Sequence, residues 1–459
     1  MVASGAENKP VASGAGNKPG MTNREMVARS LAAVWHPCTQ MKAHERFPLV
    51  PIARGEGAWL VDFDGRRYLD AVSSWWVNLF GHAHPAINKA IAEQLGTLEH
   101  VMLAGFTHAP VIELAERLAR IAPRGLGHAF FASDGASASE IALKMAAHYW
   151  ANRGERGKTR FVALQGGYHG ETLGALGVTD VAIFRDAYAP LVRDALVVPF
   201  PARSADDHRS GGIKGAEHAA DELARLLEAR HGEIAALIVE PLAQGASGMR
   251  FYHPEYLRRA RDLCTRHGVL LIADEIMTGF GRTGTMFACE QAAIAPDLLC
   301  LSKGITGGYL PLSCVLATDE VYGAFYDDDL ARGFLHSHSY TGNPLACRAA
   351  CAVLDIFERE GVIAANEKKA ARFVAAAAPL AHHRGVRDFR HLGMIWAFEV
   401  HTRARDFAQQ AFRLALERGV LLRPIGTTVY FMPPYVLDDD GFAELVATGL
   451  AIVEAFCEP

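Results

Sequence analysis

Residues 129–145 read AFFASDGASASEIALKM. Ala129–Ala132 is a short apolar run that fits a buried strand. Ser133–Ala136 is a turn of small residues, and a helical pattern follows through Ile141, Ala142 and Met145. Strand, small turn and helix in that order are half of a βαβ unit. Ser137 and Glu140 have the S-x-x-E spacing of a capping box. The first N–H groups of such a helix are unpaired and its dipole is positive there, which predicts an anion site. Gly135 and Ala136 let a phosphate approach the backbone. Alone, the same residues also fit an ordinary strand-to-helix turn with a good cap.

The alternation continues outward. Strand-like runs occur at Arg160–Leu164, Ala195–Val198, Ala235–Val239, Val269–Ala273 and Leu312–Ala317. Helical patterns cover Pro110–Arg120 and Pro254–His267, the second with Leu257, Ala260, Leu263 and Cys264 on one face. Strands alternating with helices predict an α/β fold with a mostly parallel sheet. Gly57–Tyr68 (GAWLVDFDGRRY) predicts a hairpin turning at Asp64-Gly65. The polar stretch Ala202–His218 has no period and is expected to be a surface loop. Met394–Val400 and Thr428–Met432 predict short strands in a smaller α+β lobe. Val2–Pro10 and Val11–Pro19 nearly duplicate one nonapeptide, whose composition predicts a disordered tail over residues 1–20.

Composition narrows the class of function. Lys plus Arg is 46 and Asp plus Glu is 51, for a net charge of −5. That lacks the basic excess of a general nucleic-acid binder. No apolar run reaches the roughly 18 residues of a membrane span, and no charged segment leads into an apolar leader. The eight cysteines form no CxxC pair and read as reduced thiols of a cytoplasmic protein.

Two further signals carry chemistry. The run Val269–Ala273 ends in Asp274-Glu275, and ligands of open α/β sheets bind at the carboxyl ends of strands. Lys303 follows another apolar run and precedes the glycine-rich Gly304–Gly308; a desolvated lysine is an amine nucleophile. Each has an ordinary alternative, a solvated strand-end acid or a snorkelling surface lysine. Gly279–Gly284 matches GxGxxG, but no helical pattern opens there and the acid expected about 20 residues on is missing. The histidines are scattered with no zinc-site spacing, so no metal is expected. In combination, the phosphate-type turn, the Gly167-Tyr168-His169-Gly170 turn, Asp274 and Lys303 fit pyridoxal phosphate.

The ordered motifs SDGASASE (133–140), GYHG (167–170), LLIADEIMTGFGRTG (270–284), LSKG (301–304) and TGNPLAC (341–347) resemble the class III aminotransferases of fold type I. Trp35-His36-Pro37, Thr39-Gln40-Met41, Ser73-Ser74-Trp75-Trp76, Gly81–Pro85, Arg423-Pro424 and Met432–Tyr435 narrow this to one branch. That branch moves the amino group of S-adenosylmethionine to 8-amino-7-oxononanoate in biotin biosynthesis. The resemblance runs from about Val34 to about Tyr435.

It implies a small domain from residues 21–84 and 346–459 around a large cofactor domain, 85–345. It implies a homodimer with shared sites, in the cytoplasm. By resemblance, Lys303 carries the cofactor and moves the proton, and Asp274 holds the pyridine nitrogen protonated. Gly135 and Ala136 bind the phosphate, Tyr168 stacks on the ring, and His338 and Ser339 reach the phosphate from a partner subunit. Trp75, Tyr168, Lys303, Ser337, Arg423 and Cys38 stand at substrate positions, and Glu240 and Gln244 near the cofactor. Cys38 replaces a tyrosine of some relatives, Ser337 a common glycine and Ser339 a common threonine. The sibling expectation is a class III aminotransferase using an ω-amino acid, ornithine or a diamine with a keto acid.

Overall fold

The computed structural model describes residues 21–47, 49–202 and 212–458. The duplicated nonapeptide lies outside the described residues. At the centre is a sheet of seven strands: β1 Leu126–Ala132, β2 Arg160–Leu164, β3 Leu196–Val198, β4 Ile234–Val239, β5 Leu270–Asp274, β6 Leu298–Leu301 and β7 Ser313–Thr318. Their order is β1-β7-β6-β5-β4-β2-β3. Only β7 runs against its neighbours. The mostly parallel α/β expectation therefore holds.

β4 (IAALIV), β5 (LLIAD) and β6 (LLCL) are buried at every position. Helices cover both faces of a parallel sheet, so its central strands are continuous apolar runs rather than alternating ones. β6 is absent from the strands read off the sequence. Four apolar residues carry no period that separates strand from buried coil.

Among the helices around the sheet are α1 Gly135–Asn152, α2 Ile213–Arg230, α3 Glu255–His267 and, farther out, α4 Pro344–Glu360. α3 buries Tyr256, Leu257, Ala260, Leu263 and Cys264. Each large apolar side chain so buried contributes about 1.5–3 kcal/mol. Gly268 ends α3 at φ 59, ψ 50, and Val269 N–H donates back to Cys264 O at 2.9 Å. That left-handed cap, which glycine adopts without a Cβ penalty, turns the chain directly into β5.

The loop expected over Ala202–His218 is corrected by α2, which starts at Ile213; residues 203–211 lie outside the described residues. Ala216, Ala219, Ala220, Leu223 and Leu227 form its buried stripe. Most of that stripe lies beyond His218, so the polar first turn hid it.

Near the chain ends, Ile52–Glu56, Trp59–Asp62 and Arg67–Asp70 form an antiparallel sheet. The expected hairpin is its second pair. Val420–Leu421 adds in parallel to Arg67–Asp70, so both ends of the chain build one sheet. Val386–Leu392, Ile395–Val400 and Thr428–Phe431 form a second antiparallel sheet. All eight cysteines are free. No helix among the described residues is long and apolar enough to cross a membrane.

Gly393 packs the second sheet against the backbone of Arg282–Gly284. Its φ is +56, and a Cβ there would overlap the backbone of Thr283 and Gly284 and lie 2.6 Å from Arg282 O. Gly393→Ala is expected to cost about 2 kcal/mol or more. Thermal unfolding checks this: the midpoint should fall by several degrees, and an unchanged midpoint contradicts the packing described.

Candidate active site

β1 delivers the chain to Ser133, and α1 begins at Gly135. Its N-cap is Asp134, whose Oδ1 accepts from Ser137 N–H at 2.9 Å and whose Oδ2 accepts from Ser137 Oγ at 2.8 Å. The capping box expected from Ser137 and Glu140 is thereby corrected. The helix starts earlier than that spacing implies, and a carboxylate takes the cap. Glu140 instead accepts from the Gly174 and Ala175 N–H groups at 2.6 and 3.2 Å.

Gly135 and Ala136 line a cavity of about 310 Å³ at this helix end. The wall is tight. A Cβ on Gly170 (φ +122) would meet Ala136 Cβ at 2.5 Å, and one on Gly135 would meet the Ile276 side chain at 3.1 Å. Unpaired N–H groups and the positive end of an 18-residue helix favour an anion there.

The opposite wall comes from β5 and β6. They are parallel and paired so that Asp274 stands opposite Cys300. Asp274 is buried; its Oδ2 lies 2.7 Å from His169 Nδ1, and its Oδ1 accepts from Ile276 N–H at 3.1 Å. Three residues past Cys300, Lys303 turns off the strand at φ +47, and the Oγ of its buried neighbour Ser302 donates to Leu312 O at 2.9 Å.

The Lys303 side chain is half-buried and opens into the cavity. Its Nζ makes no hydrogen bond or ion pair among the described residues. It lies 5.1 Å from the centroid of the Trp76 ring. Burial lowers its pKa, against the pull of Asp274 and Glu240. The result is an amine biased toward its nucleophilic neutral form.

Glu240 closes the floor. Burial pushes its carboxyl up to about 7, with Asp274 adding and His169 opposing. Its oxygens accept from Tyr168 N–H at 3.0 Å and Gly245 N–H at 3.1 Å. The Tyr168 phenol is raised by burial and by donating to Glu171 at 2.8 Å.

Of the residues expected from the sequence, Gly135, Ala136, Tyr168, Glu240, Asp274 and Lys303 share this cavity. Gln244 lies behind it, donating to Gln165 O at 3.1 Å. Arg423 is exposed and stacks its guanidinium 4.4 Å from the centroid of the Trp75 ring. Cys38 is exposed. Ser337 and Ser339 are exposed, and His338 Nε2 lies 3.4 Å from Ser133 Oγ of the same chain.

His169, Trp76, Ile276 and Met277 line the cavity without having been singled out. GYHG and SSWW contain the first two. Which tryptophan faces inward depends on a backbone turn that side-chain pattern does not encode. The Gly279–Gly284 match opens no long helix. Its Arg282 is buried and donates to Pro433 O at 2.7 Å and Asn78 O at 3.0 Å.

Residues 40–452 match the family described as aminotransferase class III. The chain is 45% identical over 438 residues to the adenosylmethionine-8-amino-7-oxononanoate aminotransferase of Helicobacter pylori, covering 94% of this chain and 98% of that one. It is 41% identical to the protein of the same name from Geobacter sulfurreducens, over 88% and 92% of the two chains. Among solved structures it resembles the one of that name from Methanocaldococcus jannaschii, with TM-score 0.88, 34% identity and coverage of 95% and 100%. A PLP-bound amine transaminase from an uncultivated Pseudomonas species matches with TM-score 0.86 and 34% identity, over 92% and 99%.

Lys303 gives a pH test with a defined sign. Its folded pKa lies below the ordinary 10.5, so at neutral pH the unfolded chain binds the proton more readily. The lysine therefore destabilises the cofactor-free fold below its folded pKa, and that penalty fades as pH rises toward 10.5. Lys303→Met should raise the melting temperature of the cofactor-free protein near neutrality. The gain should shrink in alkali; a constant gain or a loss contradicts the buried amine.

Proposed function

The chain belongs to the class III aminotransferases, and from that premise we propose that it transfers the amino group of S-adenosylmethionine to 8-amino-7-oxononanoate, giving 7,8-diaminononanoate. The donor's CH–NH2 becomes C=O and the acceptor's C=O becomes CH–NH2, so atoms and electrons balance across the two substrates. The observation that carries the reading is the 45% identity over 94% of the chain to a relative of that name.

The residues present fit pyridoxal phosphate. The α1 N-terminus offers backbone donors to a phosphate, Asp274 offers a buried carboxylate, and Lys303 offers an unpartnered amine. When bound, the cofactor supplies an aldehyde for amine capture and a ring that accepts the electron pair of a broken C–H bond. Asp274, held by His169, would keep a proton on the ring nitrogen. Lys303 Nζ would take the substrate α-proton and return it one atom away. Tyr168 and Ile276 line the cavity where the ring would sit, and Tyr168 would contact substrate. Arg423, stacked on Trp75, offers its fork of donors to a substrate carboxylate. By resemblance, Cys38 and Ser337 would also contact substrate; both are exposed.

We also propose a homodimer in the cytoplasm. Trp35 is 87% exposed, Ile183 86% and Leu335 74%, apolar surface suited to a second copy. His338 and Ser339 follow Leu335 and would reach the partner's phosphate site. Eight free thiols support a reducing compartment.

Visible absorbance tests the function. The band of the lysine-bound cofactor should disappear on adding S-adenosylmethionine alone and return with 8-amino-7-oxononanoate, with diaminononanoate found by mass spectrometry. Silence toward this donor, with response to an ω-amino acid or ornithine, would move the chain to a sibling activity. Lys303→Ala should retain cofactor but lose turnover by about 10²–10⁴-fold or more. Asp274→Asn should lose about 10²–10³-fold. Near-normal turnover in either variant would remove its assigned role.

A further inference from the structure

Ser73, Ser74, Trp75 and Trp76 have φ of 50, 45, 73 and 72. Four successive non-glycine residues in this region make one turn of left-handed helix. Trp76 N–H donates to Val72 O at 2.8 Å, and Val77 N–H to Ser73 O at 3.0 Å. L-residues resist this conformation because each Cβ crowds the following carbonyl. Such strain persists only where the surroundings over-determine it.

Asp70 is the group that does so. It ends the strand Arg67–Asp70, and its side chain is fully buried. Oδ1 accepts from Ser74 N–H at 2.9 Å and Val72 N–H at 3.3 Å. Oδ2 accepts from Ser74 Oγ at 2.7 Å and lies 3.1 Å from His82 Nε2. His82 Nδ1 lies 3.1 Å from Asn78 Nδ2, an amide donor. Nδ1 is therefore the acceptor, and Nε2–H donates to Asp70. From the other side, Ser73 Oγ donates to Met432 O at 2.8 Å.

The turn separates two adjacent tryptophans. Trp76 points inward, 5.1 Å from Lys303 Nζ, with its Nε1 donating to Tyr430 OH at 3.1 Å. Trp75 points outward, 42% exposed, against Arg423. The turn fixes which of the two adjacent rings faces Lys303 and which faces Arg423.

We propose that Asp70 is a positioning residue that holds Ser73–Trp76 in its left-handed turn and so sets Trp75 against the carboxylate clamp Arg423 and Trp76 over Lys303. The assignment rests on the aminotransferase reading of Lys303 and Arg423. Asp70 is not among the residues that line the cavity.

The test compares Asp70→Asn, Ser74→Ala and Asp70→Asn/Ser74→Gly with the parent holoenzyme. Asp70→Asn should raise KM for S-adenosylmethionine by about tenfold, with a smaller change in kcat. The visible cofactor band should remain. The near-ultraviolet circular dichroism of the tryptophans should change in the cofactor-free protein. Adding Ser74→Gly should recover much of the loss, because glycine adopts positive φ without a Cβ contact. If Asp70→Asn fails to fold, Ser74→Ala removes the Oγ bond alone and should show the same shifts in smaller measure. Parental KM and parental dichroism in a folded Asp70→Asn or in Ser74→Ala would overturn the proposal. A parent enzyme inert to this donor would instead fail the functional reading, while the dichroism of the cofactor-free variants still decides the role of Asp70.

Discussion

The site depends on the bond between Asp274 and His169. A buried carboxylate beside a buried lysine ordinarily forms an ion pair, and the amine is then a cation. Here His169 and the Ile276 N–H take the Asp274 oxygens. The carboxylate is satisfied without the lysine, so Lys303 faces the cavity unpaired and burial drives it toward the neutral amine. The two groups share one space because β5 and β6 are parallel neighbours. Side by side, both strands bring their carboxyl ends to the same edge of the sheet.

The smaller sheets complete what the large one begins. Arg282 is buried, forms no salt bridge among the described residues, and spends its donors on the carbonyls of Pro433, Asn78 and Trp76. It thereby ties the loop after Asp274 to segments from both ends of the chain. Burial lowers its pKa, against the pull of Tyr435 and Asp70. Gly393 presses against the backbone of the same loop. The tryptophan turn and the Lys303 wall are thus held in one frame, although they lie far apart in sequence.

Much of this was legible in the residues. β4 and β5 announce themselves as apolar runs because both faces are covered. Asp274 and Lys303 were legible because each follows such a run, where a charged residue marks the strand end. β6 was legible as the apolar run before Lys303 but not as a strand, since LLCL is too short to carry a period. The Ser137–Glu140 spacing misled because Asp134 competes for the same cap with a stronger acceptor. The inward tryptophan was missed for a different reason: four positive φ values set which ring of the adjacent pair turns toward Lys303. Side-chain pattern does not encode such a backbone turn. The pairing of His169 with Asp274 is a product of topology.

The central claim is that one unpaired amine, Lys303, is where the chain takes hold of its cofactor. The most direct measurement is reduction of the holoenzyme with borohydride followed by peptide mass mapping. The account predicts a phosphopyridoxyl group fixed on Lys303 and on no other lysine. A stable adduct at a different lysine, or none in protein loaded with pyridoxal phosphate, would contradict it.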